Sequence, residues 1–395
     1  MYDPGVPPEG ERSARRQRSR HQLLTLIRER GSITRNDLGA LTGLSRSAIA
    51  EGVASLIADH LVVEEGTQTV AGNAARGRPA ALLAPSQRAG LVAGIDFGHA
   101  HVSVAVAGTD GSVLVEHRES VNVDDDAAHA LDTAAALFGR CLVDAKASSS
   151  EVLSIAAGIP GPLDSGSHLV RSATILSAWV GLDPERELSN RLGRTVHVGN
   201  DADMGAQGEL RFGAARGCRD FLYIKASHGI GAGLVLNGDS YRGSIGIAGE
   251  IGHTKLPGAD NWCRCGNRGC LETVVSITEV RRQLEHTRVP NASPDEDSIL
   301  ASHTNNPVAR RVVTEAGRTL GQVLAELCNC LNPEAIILGG ELGTAGRPLV
   351  AGVRESIDRY AQPAIAQAVD VRTAELGLRS ELMGAVSRAM HHAQR

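Results

Sequence analysis

Four residues in one short segment have side chains that bind zinc: His253, Cys263, Cys265 and Cys270. One His and three Cys supply the four nitrogen and sulfur ligands that a structural zinc ion takes in a closed tetrahedron. Gly266 and Gly269 allow the loop between the cysteines to turn back, so that Cys270 can reach the same ion. The sequence therefore predicts a structural Zn²⁺ site; the alternative is a surface loop with three reduced thiols.

Two acidic residues, Glu250 and Glu272, flank these metal-ligand candidates. A zinc site that only stabilises a loop requires neither carboxylate. We therefore expect something polar to bind beside the metal.

The segment Ala-Gly-Glu-Ile-Gly-His (248–253), followed by Cys-x-Cys-Gly-x-x-Gly-Cys-Leu-Glu (263–272), resembles the signature of the ROK family, named for repressor, open reading frame and kinase. The resemblance covers most of residues 90–395. It implies an α/β fold with the two lobes of an actin-like ATPase (sugar kinase-like) module, in which the metal-bound His and the neighbouring carboxylates face a sugar. The sugar-binding positions that it implies are Asn200, Asp201, Glu250, His253 and Glu272.

In family members that phosphorylate sugars, the Asp of an Asn-Asp-Ala sequence accepts the proton of the attacking hydroxyl, and here that residue is Asp201. The ATP side matches the family less well. Family kinases read Asp-x-Gly-Gly-Thr and Gly-Thr-Gly at their two phosphate loops, whereas this chain has Asp-Phe-Gly-His-Ala (96–100) and Ser-His-Gly (227–229). Phosphoryl transfer needs backbone amides and hydroxyls around the phosphates.

The remaining positions of these degenerate loops are Asp96, Gly98, Gly229, Gly231, Gly339 and Gly340. We therefore expect that ATP does not bind and that Asp201 keeps the kinase-base position without its reaction. The sequence favours a module that binds a sugar or sugar phosphate. The alternative is an active ATP-dependent sugar kinase fused to a DNA-binding head.

The elements that must position these residues include a repeated pattern. A strand, a Gly turn and a second strand occur at 91–106 and again at 221–236, which predicts a duplicated two-lobed architecture with a cleft between the lobes. A third strand, at 196–200, delivers Asn200 and Asp201 to the start of a helix.

The N-terminal segment has the pattern of a helix-turn-helix. Thr34 with Asp37 three residues later predicts a helix start, Gly43 predicts a turn, and Ser45 predicts the cap of a third helix. The residues predicted to face outward at the start of that helix, where base contacts are made, are Ser45, Arg46, Ser47, Ala50 and Glu51. A three-helix packing module is the alternative.

Two short apolar runs, at 62–63 and 81–83, predict a hairpin after the third helix, so that the head is a winged helix-turn-helix. Arg76 and Arg78 lie between these runs beside Gly77 and are predicted to enter a minor groove. Residues 1–88 carry 12 Arg against 9 acidic residues, a net charge of +3, so the remainder carries −8. This distribution indicates that the head meets nucleic acid and the body does not.

The predicted organisation has four parts: a disordered tail (1–16), a winged helix-turn-helix domain (17–88), a first α/β lobe (90–200 with 380–395), and a second α/β lobe with the zinc knuckle (201–379). No signal peptide or membrane-spanning run is present, and seven Cys fit a reducing compartment, so we expect a soluble, cytoplasmic protein.

The predicted function is sugar-responsive transcriptional regulation, most simply repression of carbohydrate genes. The expected partners are operator DNA, the sugar, and a second copy of the chain in a homodimer or higher oligomer, since one recognition helix reads only a few base pairs. A regulator sequestered by a membrane transporter component is a further possibility.

Overall fold

The computed structural model describes residues 19–20, 22–27, 29–58, 61–68, 80–86, 90–164, 166–167, 169–170, 176–287 and 306–394. The predicted tail (1–16) and the wing arginines Arg76 and Arg78 lie outside the described residues.

The N-terminal head contains three helical segments and a three-stranded antiparallel sheet. The helices are α1 (22–27), α2 (Arg35–Thr42) and α3 (Arg46–Ala58). The strands are β1 (Ile33–Thr34), β2 (Val62–Gln68) and β3 (Ala80–Pro85), in the order β1-β3-β2. Leu23, Leu38 and Leu56 are fully buried and join the three helices in one core.

Local hydrogen bonds fix where α2 and α3 begin, as the sequence predicts. The hydroxyl of Thr34 accepts a hydrogen bond from the backbone N–H of Asp37 at 3.2 Å and donates to its carboxylate at 2.6 Å. Gly43 ends α2 in the left-handed conformation, with φ of 67°. Ser45 then caps α3 by accepting from the backbone N–H of Ala48 at 3.3 Å.

Two five-stranded sheets follow, and they have the same arrangement. The strands of the first sheet are β4 (Leu91–Phe97), β5 (His101–Gly108), β6 (Val113–Ser120), β7 (Val152–Ile159) and β8 (Val196–Asn200), in the order β6-β5-β4-β7-β8. Those of the second are β9 (Phe221–Ala226), β10 (Ile230–Leu236), β11 (Asp239–Tyr241), β12 (Ala335–Gly339) and β13 (Asp370–Thr373), in the order β11-β10-β9-β12-β13. In each sheet three antiparallel strands are followed by two parallel ones, which confirms the predicted duplication.

Helices cover both sheets. Those of the first lobe are α4 (Ala127–Asp144) and α5 (Pro184–Leu192); those of the second are α7 (Glu272–Val275), α8 (Ile277–His286), α9 (Pro307–Leu331), α10 (Gly340–Gly343), α11 (Arg347–Tyr360) and α12 (Pro363–Ala368). Short 3-10 turns lie at Ser149–Glu151, Ser177–Trp179, Ile251–His253 and Gly377–Arg379. Within the described ranges, no helix has the length and apolar character needed to span a bilayer.

Helices α6 (Asp201–Phe212) and α13 (Ser380–Ala393) pack against each other at unusually close range. A Cβ atom at Gly384 would lie 1.6 Å from the carbonyl oxygen of Met204, and one at Gly208 would lie 2.2 Å from that of Ser380. Helix α6 also packs on β10, where a Cβ at Gly233 would lie 2.3 Å from the Ala202 carbonyl oxygen. These contacts fix the first residue of α6, Asp201, relative to α13 and to the second sheet.

Candidate functional site

The four predicted metal ligands lie together. One ligand atom from each of His253, Cys263, Cys265 and Cys270 lies within 4.8 Å of the others. The Sγ atoms of Cys265 and Cys270 are 3.7 Å apart, and Cys263 Sγ is 3.5 Å from His253 Nδ1. Tetrahedral zinc with bonds of about 2.3 Å to sulfur and 2.0–2.1 Å to nitrogen places sulfurs ~3.8 Å apart and sulfur from nitrogen ~3.6 Å apart. The donor set and its spacing therefore fit a zinc ion.

Glycines allow the segment that carries the metal ligands to fold. In the loop 263–270, which we call the metal loop, Gly266 (φ 91°) and Gly269 (φ 72°) have left-handed backbones. Gly249 (φ 98°) precedes the 3-10 turn that carries His253, and a Cβ there would lie 1.9 Å from the Ala232 carbonyl oxygen. The Ala-Gly-Glu-Ile-Gly-His segment can therefore approach the backbone of strand β10.

His253 presents a different nitrogen to each side. Its Nδ1 faces Cys263 Sγ, while its Nε2 lies 3.6 Å from Oε2 of Glu250. Glu272 begins α7 two residues after Cys270, and its Oε1 lies 2.9 Å from Cys263 Sγ. With Nδ1 on a metal, the other nitrogen of His253 is available to a ligand in the cleft.

All five predicted sugar-binding positions line one cleft between the lobes: Asn200, Asp201, Glu250, His253 and Glu272. The cleft is also lined by Gly229, Gly231, His99 and Lys225. Asn200 caps α6 by accepting from the backbone N–H groups of Ala202 and Asp203, and its Nδ2 donates to the Gly161 carbonyl. A helix cap thus holds one wall of the cleft in place.

Lys225 is a cleft residue that the sequence analysis does not single out. Its Nζ lies 2.6 Å from Oδ2 of Asp201, and both side chains are nearly buried. Burial alone would lower the pKa of Lys225. The negative charges of Asp201, Glu381 and Asp96 together have the larger effect, so its pKa is raised and Lys225 is charged. The sequence contains one signal for this residue: Lys225 is the only charged residue in the otherwise largely apolar strand β9.

Three carboxylates of the cleft, those of Asp201, Glu250 and Glu272, lie close enough to repel one another. Burial, followed by repulsion from Asp201 and Glu272, raises the pKa of Glu250 to about 7, although 36% of its side-chain surface is exposed. Closely spaced carboxyl groups of this kind offer several acceptors to the hydroxyl groups of a polyol.

Each of the two degenerate phosphate loops carries a histidine, and the two histidines lie close together. His99 Nδ1 lies 2.6 Å from Asp124 Oδ1, His228 Nδ1 lies 3.6 Å from Glu341 Oε1, and the two imidazole rings are 6.0 Å apart. Asp96 is buried, and its Oδ2 lies 3.0 Å from His101 Nε2.

The glycines that survive in these loops are used in packing. A Cβ at Gly98 would lie 2.2 Å from the His101 ring, and one at Gly339 would lie 2.2 Å from the Tyr223 hydroxyl. Gly340, with φ of 70°, lies against the Ala226 carbonyl.

The predicted DNA-contact residues occupy the first turns of α3. Ser45, Arg46, Ser47, Ala50 and Glu51 are all exposed. Ile49 and Val53 of the same helix are buried in the core of the head. The exposed face of α3 is thus separate from the face that holds the head together.

Comparison with known proteins gives the same picture of the chain. The xylose repressor of Caldicellulosiruptor bescii is 26% identical over 377 residues, which cover 92% of this chain and 93% of that protein. The glucokinase of Halalkalibacterium halodurans is 31% identical over 305 residues, 74% of this chain and 92% of that enzyme. The crystal structure of a ROK family transcriptional regulator, homologous to the Escherichia coli Mlc protein, superposes with a TM-score of 0.75 at 26% identity and covers 96% of this chain and 97% of that chain.

The predicted fold class is confirmed by that superposition, which includes the head and both lobes. The sequence profile of the ROK family matches residues 92–391. The chain therefore belongs to the ROK family.

Proposed function

We propose that this protein is a transcriptional repressor whose binding to operator DNA is controlled by a sugar in the interlobe cleft. The observation that carries the proposal is the convergence of five polar side chains from both lobes on one cleft, behind an N-terminal helix-turn-helix. Relatives named as xylose repressors align with more than nine-tenths of the chain, including the head.

The sugar is held, in this proposal, by hydrogen bonds to Asn200, Asp201, Glu250, His253 and Glu272. A zinc ion bound by His253 and the three cysteines of the metal loop would keep Nδ1 of His253 occupied and fix the ring. Zinc would supply no chemistry to the sugar; it would stabilise the wall that contacts it.

DNA binding is assigned to the head. Arg46 and its exposed neighbours at the start of α3 read base edges, and two heads in a homodimer contact two half-sites. A ligand changes DNA affinity only if it binds the DNA-competent and the incompetent arrangement differently, and a cleft between two lobes provides two such arrangements.

Two features argue against phosphoryl transfer as the function. The ammonium of Lys225 donates a hydrogen bond to Oδ2 of Asp201, the carboxylate at the kinase-base position, and so makes it a weaker proton acceptor. His99 and His228 take up positions at the loops where a kinase needs backbone amides and small residues around phosphates.

The test is a titration of the protein bound to a DNA fragment that it selects from a random pool. Xylose, glucose, N-acetylglucosamine and their phosphates are added in turn, and DNA binding is followed by fluorescence anisotropy. One of these ligands should release the DNA, and none should be phosphorylated with ATP at the ~1–100 per second of ordinary kinases. Turnover in that range would establish the alternative, a sugar kinase fused to a DNA-binding head.

A further inference from the structure

A second cavity lies next to the sugar cleft and shares Asn200 with it. It encloses about 160 Å³. Its charged and polar lining consists of Asp164, Glu185, Asn200, Asp203, Arg242 and Arg388. These residues come from the first lobe, the second lobe and the C-terminal helix α13, so the cavity lies where these three parts meet.

Arg388 is the unusual residue of this cavity. In the described part of the chain its guanidinium has no hydrogen bond or ion pair, and its Nη1 is fully buried without a partner. Burial, followed by the charge of Arg242, lowers the pKa of Arg388 to about 10. A buried guanidinium nitrogen without a partner is destabilising, because its N–H donors lose water and gain no hydrogen bond.

The nearby carboxylates are engaged elsewhere. Asp203 pairs with Arg242, with 2.8 Å between Oδ2 and Nε. Glu185 accepts a hydrogen bond from the backbone N–H of Val198 at 3.2 Å, and Asp164 accepts from the backbone N–H of Ser167 at 2.7 Å. Asp203 and Glu185 act on the charge of Arg388 only at longer range, and the donors of its Nη1 are left for a molecule that enters the cavity.

The guanidinium packs directly against the backbone of strand β8. A Cβ atom at Gly199 would lie 2.5 Å from Arg388 Nη1, so a side chain there would displace the guanidinium from its present position. Gly199 directly precedes Asn200, which ties the position of Arg388 to the residue that the two cavities share.

We propose that this cavity is a second ligand site that binds a small anion, a carboxylate or a phosphate compound, through the guanidinium of Arg388. Guanidinium binds both groups by two parallel hydrogen bonds. A cavity of about 150 Å³ holds a molecule the size of benzene, so the enclosed part of the ligand has on the order of six non-hydrogen atoms. Because Asn200 lies in both cavities, occupancy of this site changes the affinity of the cleft for the sugar, and the reverse.

The experiment compares full-length wild type with Arg388→Met in a thermal melt. Sodium phosphate and sodium malonate are added in separate arms, each against sodium chloride of equal ionic strength. Wild type should melt at a higher temperature in at least one of the two anion arms than in chloride, and the arm that responds tells phosphate from carboxylate. Arg388→Met should show no such difference. Arg310→Met, which removes an exposed arginine on α9, is the matched control and should respond like wild type.

A second comparison separates a ligand site from a structural role. In chloride alone, Arg388→Met should melt at or above the temperature of wild type, because a buried charge without a partner has been removed. If Arg388→Met melts well below wild type in chloride, or fails to fold, Arg388 supports the structure and the proposal is wrong. The same holds if wild type and Arg388→Met respond equally to both anions.

Arg388→Lys keeps the charge but loses the planar guanidinium that forms two parallel hydrogen bonds. Its response to the anion should therefore need at least tenfold more ligand than that of wild type. A response equal to that of wild type would contradict binding by two parallel hydrogen bonds from the guanidinium. Release of DNA by the sugar is measured in the same samples, and its persistence in Arg388→Met leaves the proposed repressor function intact whatever the anion does.

Discussion

Arg264 of the metal loop forms an ion pair with Asp124 of the first lobe, with 3.0 Å between Nη1 and Oδ2. Asp124 also bonds to His99, which lines the sugar cleft. Burial alone would raise the pKa of Asp124. The hydrogen bonds and charges of His99 and Arg264 together have the larger effect, so its pKa is lowered and the carboxylate is charged. Because Arg264 lies between Cys263 and Cys265, this ion pair joins the metal loop of one lobe to the other lobe across the cleft.

The first prediction concerns this contact. Arg264→Ala should keep its metal but bind the sugar up to ~5-fold more weakly, because an exposed ion pair contributes about 0–1 kcal/mol and 63% of the Arg264 side chain is exposed. Arg268→Ala is the matched control. Arg268 also belongs to the metal loop, but it pairs with Asp260 and not with a residue of the first lobe. Sugar affinity and metal content are measured for both. An equal loss of sugar affinity in the two variants would mean that the contact between lobes has no special role.

The second prediction is one zinc ion per chain. Metal analysis of purified wild type should give about one equivalent, and Cys265→Ser should retain much less, because the site loses one of four ligands. Cys330→Ser, which changes an exposed cysteine outside the metal loop, should keep the full equivalent. The absence of metal from both wild type and Cys330→Ser would exclude a zinc site here.

Local signals in the sequence were sufficient for much of the fold. The Thr34–Asp37 capping pair, the Gly43 turn and the duplicated strand–turn–strand units all occur where the sequence predicts them, because each depends on residues a few positions apart. The metal ligands could be predicted for the same reason, as they lie within one short segment.

Contacts between distant residues could not be read in this way. The Asp124–Arg264 ion pair joins residues 140 positions apart, and Lys225 meets Asp201 only because β9 and α6 are neighbours in space. Arg388 was missed for a further reason: a lone Arg in an amphipathic helix has the pattern of a solvated residue, and only the structure reveals that its partners are absent.

The third prediction tests the DNA-reading face. Arg46→Ala should weaken binding to the selected operator by roughly 1–3 kcal/mol and leave binding to random DNA nearly unchanged, as expected for loss of a base contact. Arg46 is exposed at the start of α3. Arg310→Ala, an exposed arginine of α9, is the control and should change neither. Equal losses on operator and random DNA would assign Arg46 to a phosphate contact.

The fourth prediction is a pH dependence that comes from Glu381. Burial raises the pKa of this carboxyl to about 7 from an ordinary value of 4.5, while Lys225 opposes the change. The folded protein therefore keeps a proton that the unfolded chain releases, and stability falls as the pH rises from about 4.5 to 7. Gln at this position cannot lose a proton and can still accept the hydrogen bond from Tyr223, which is 2.8 Å long.

Glu381→Gln should thus melt above wild type at pH 8, and this difference should shrink at pH 5.5. Glu315→Gln removes an exposed carboxylate and should show no pH-dependent difference from wild type. A Glu381→Gln advantage that is the same at both pH values would mean that Glu381 does not titrate in this range.

The last prediction concerns the switch. Glu250→Ala should fold, bind the operator as wild type does, and lose most of its response to the sugar, since Glu250 lines the cleft and not the head. In wild type the sugar should lower operator affinity by about 1–3 kcal/mol, or 5–150-fold. Asp201→Ala is a less suitable variant, because it leaves the buried ammonium of Lys225 without its partner, a change that destabilises proteins by about 3–5 kcal/mol.

The measurement is a titration of operator binding with the sugar, carried out on wild type, Glu250→Ala and Glu285→Ala. Glu285 lies exposed on α8 outside the cleft, so its variant should release DNA at the same sugar concentration as wild type. Melting temperatures of the three proteins without sugar establish that each is folded. If Glu250→Ala releases the operator as readily as wild type does, the sugar acts somewhere other than this cleft. The second cavity beside Arg388 would then be the place to search, because it is also built from both lobes.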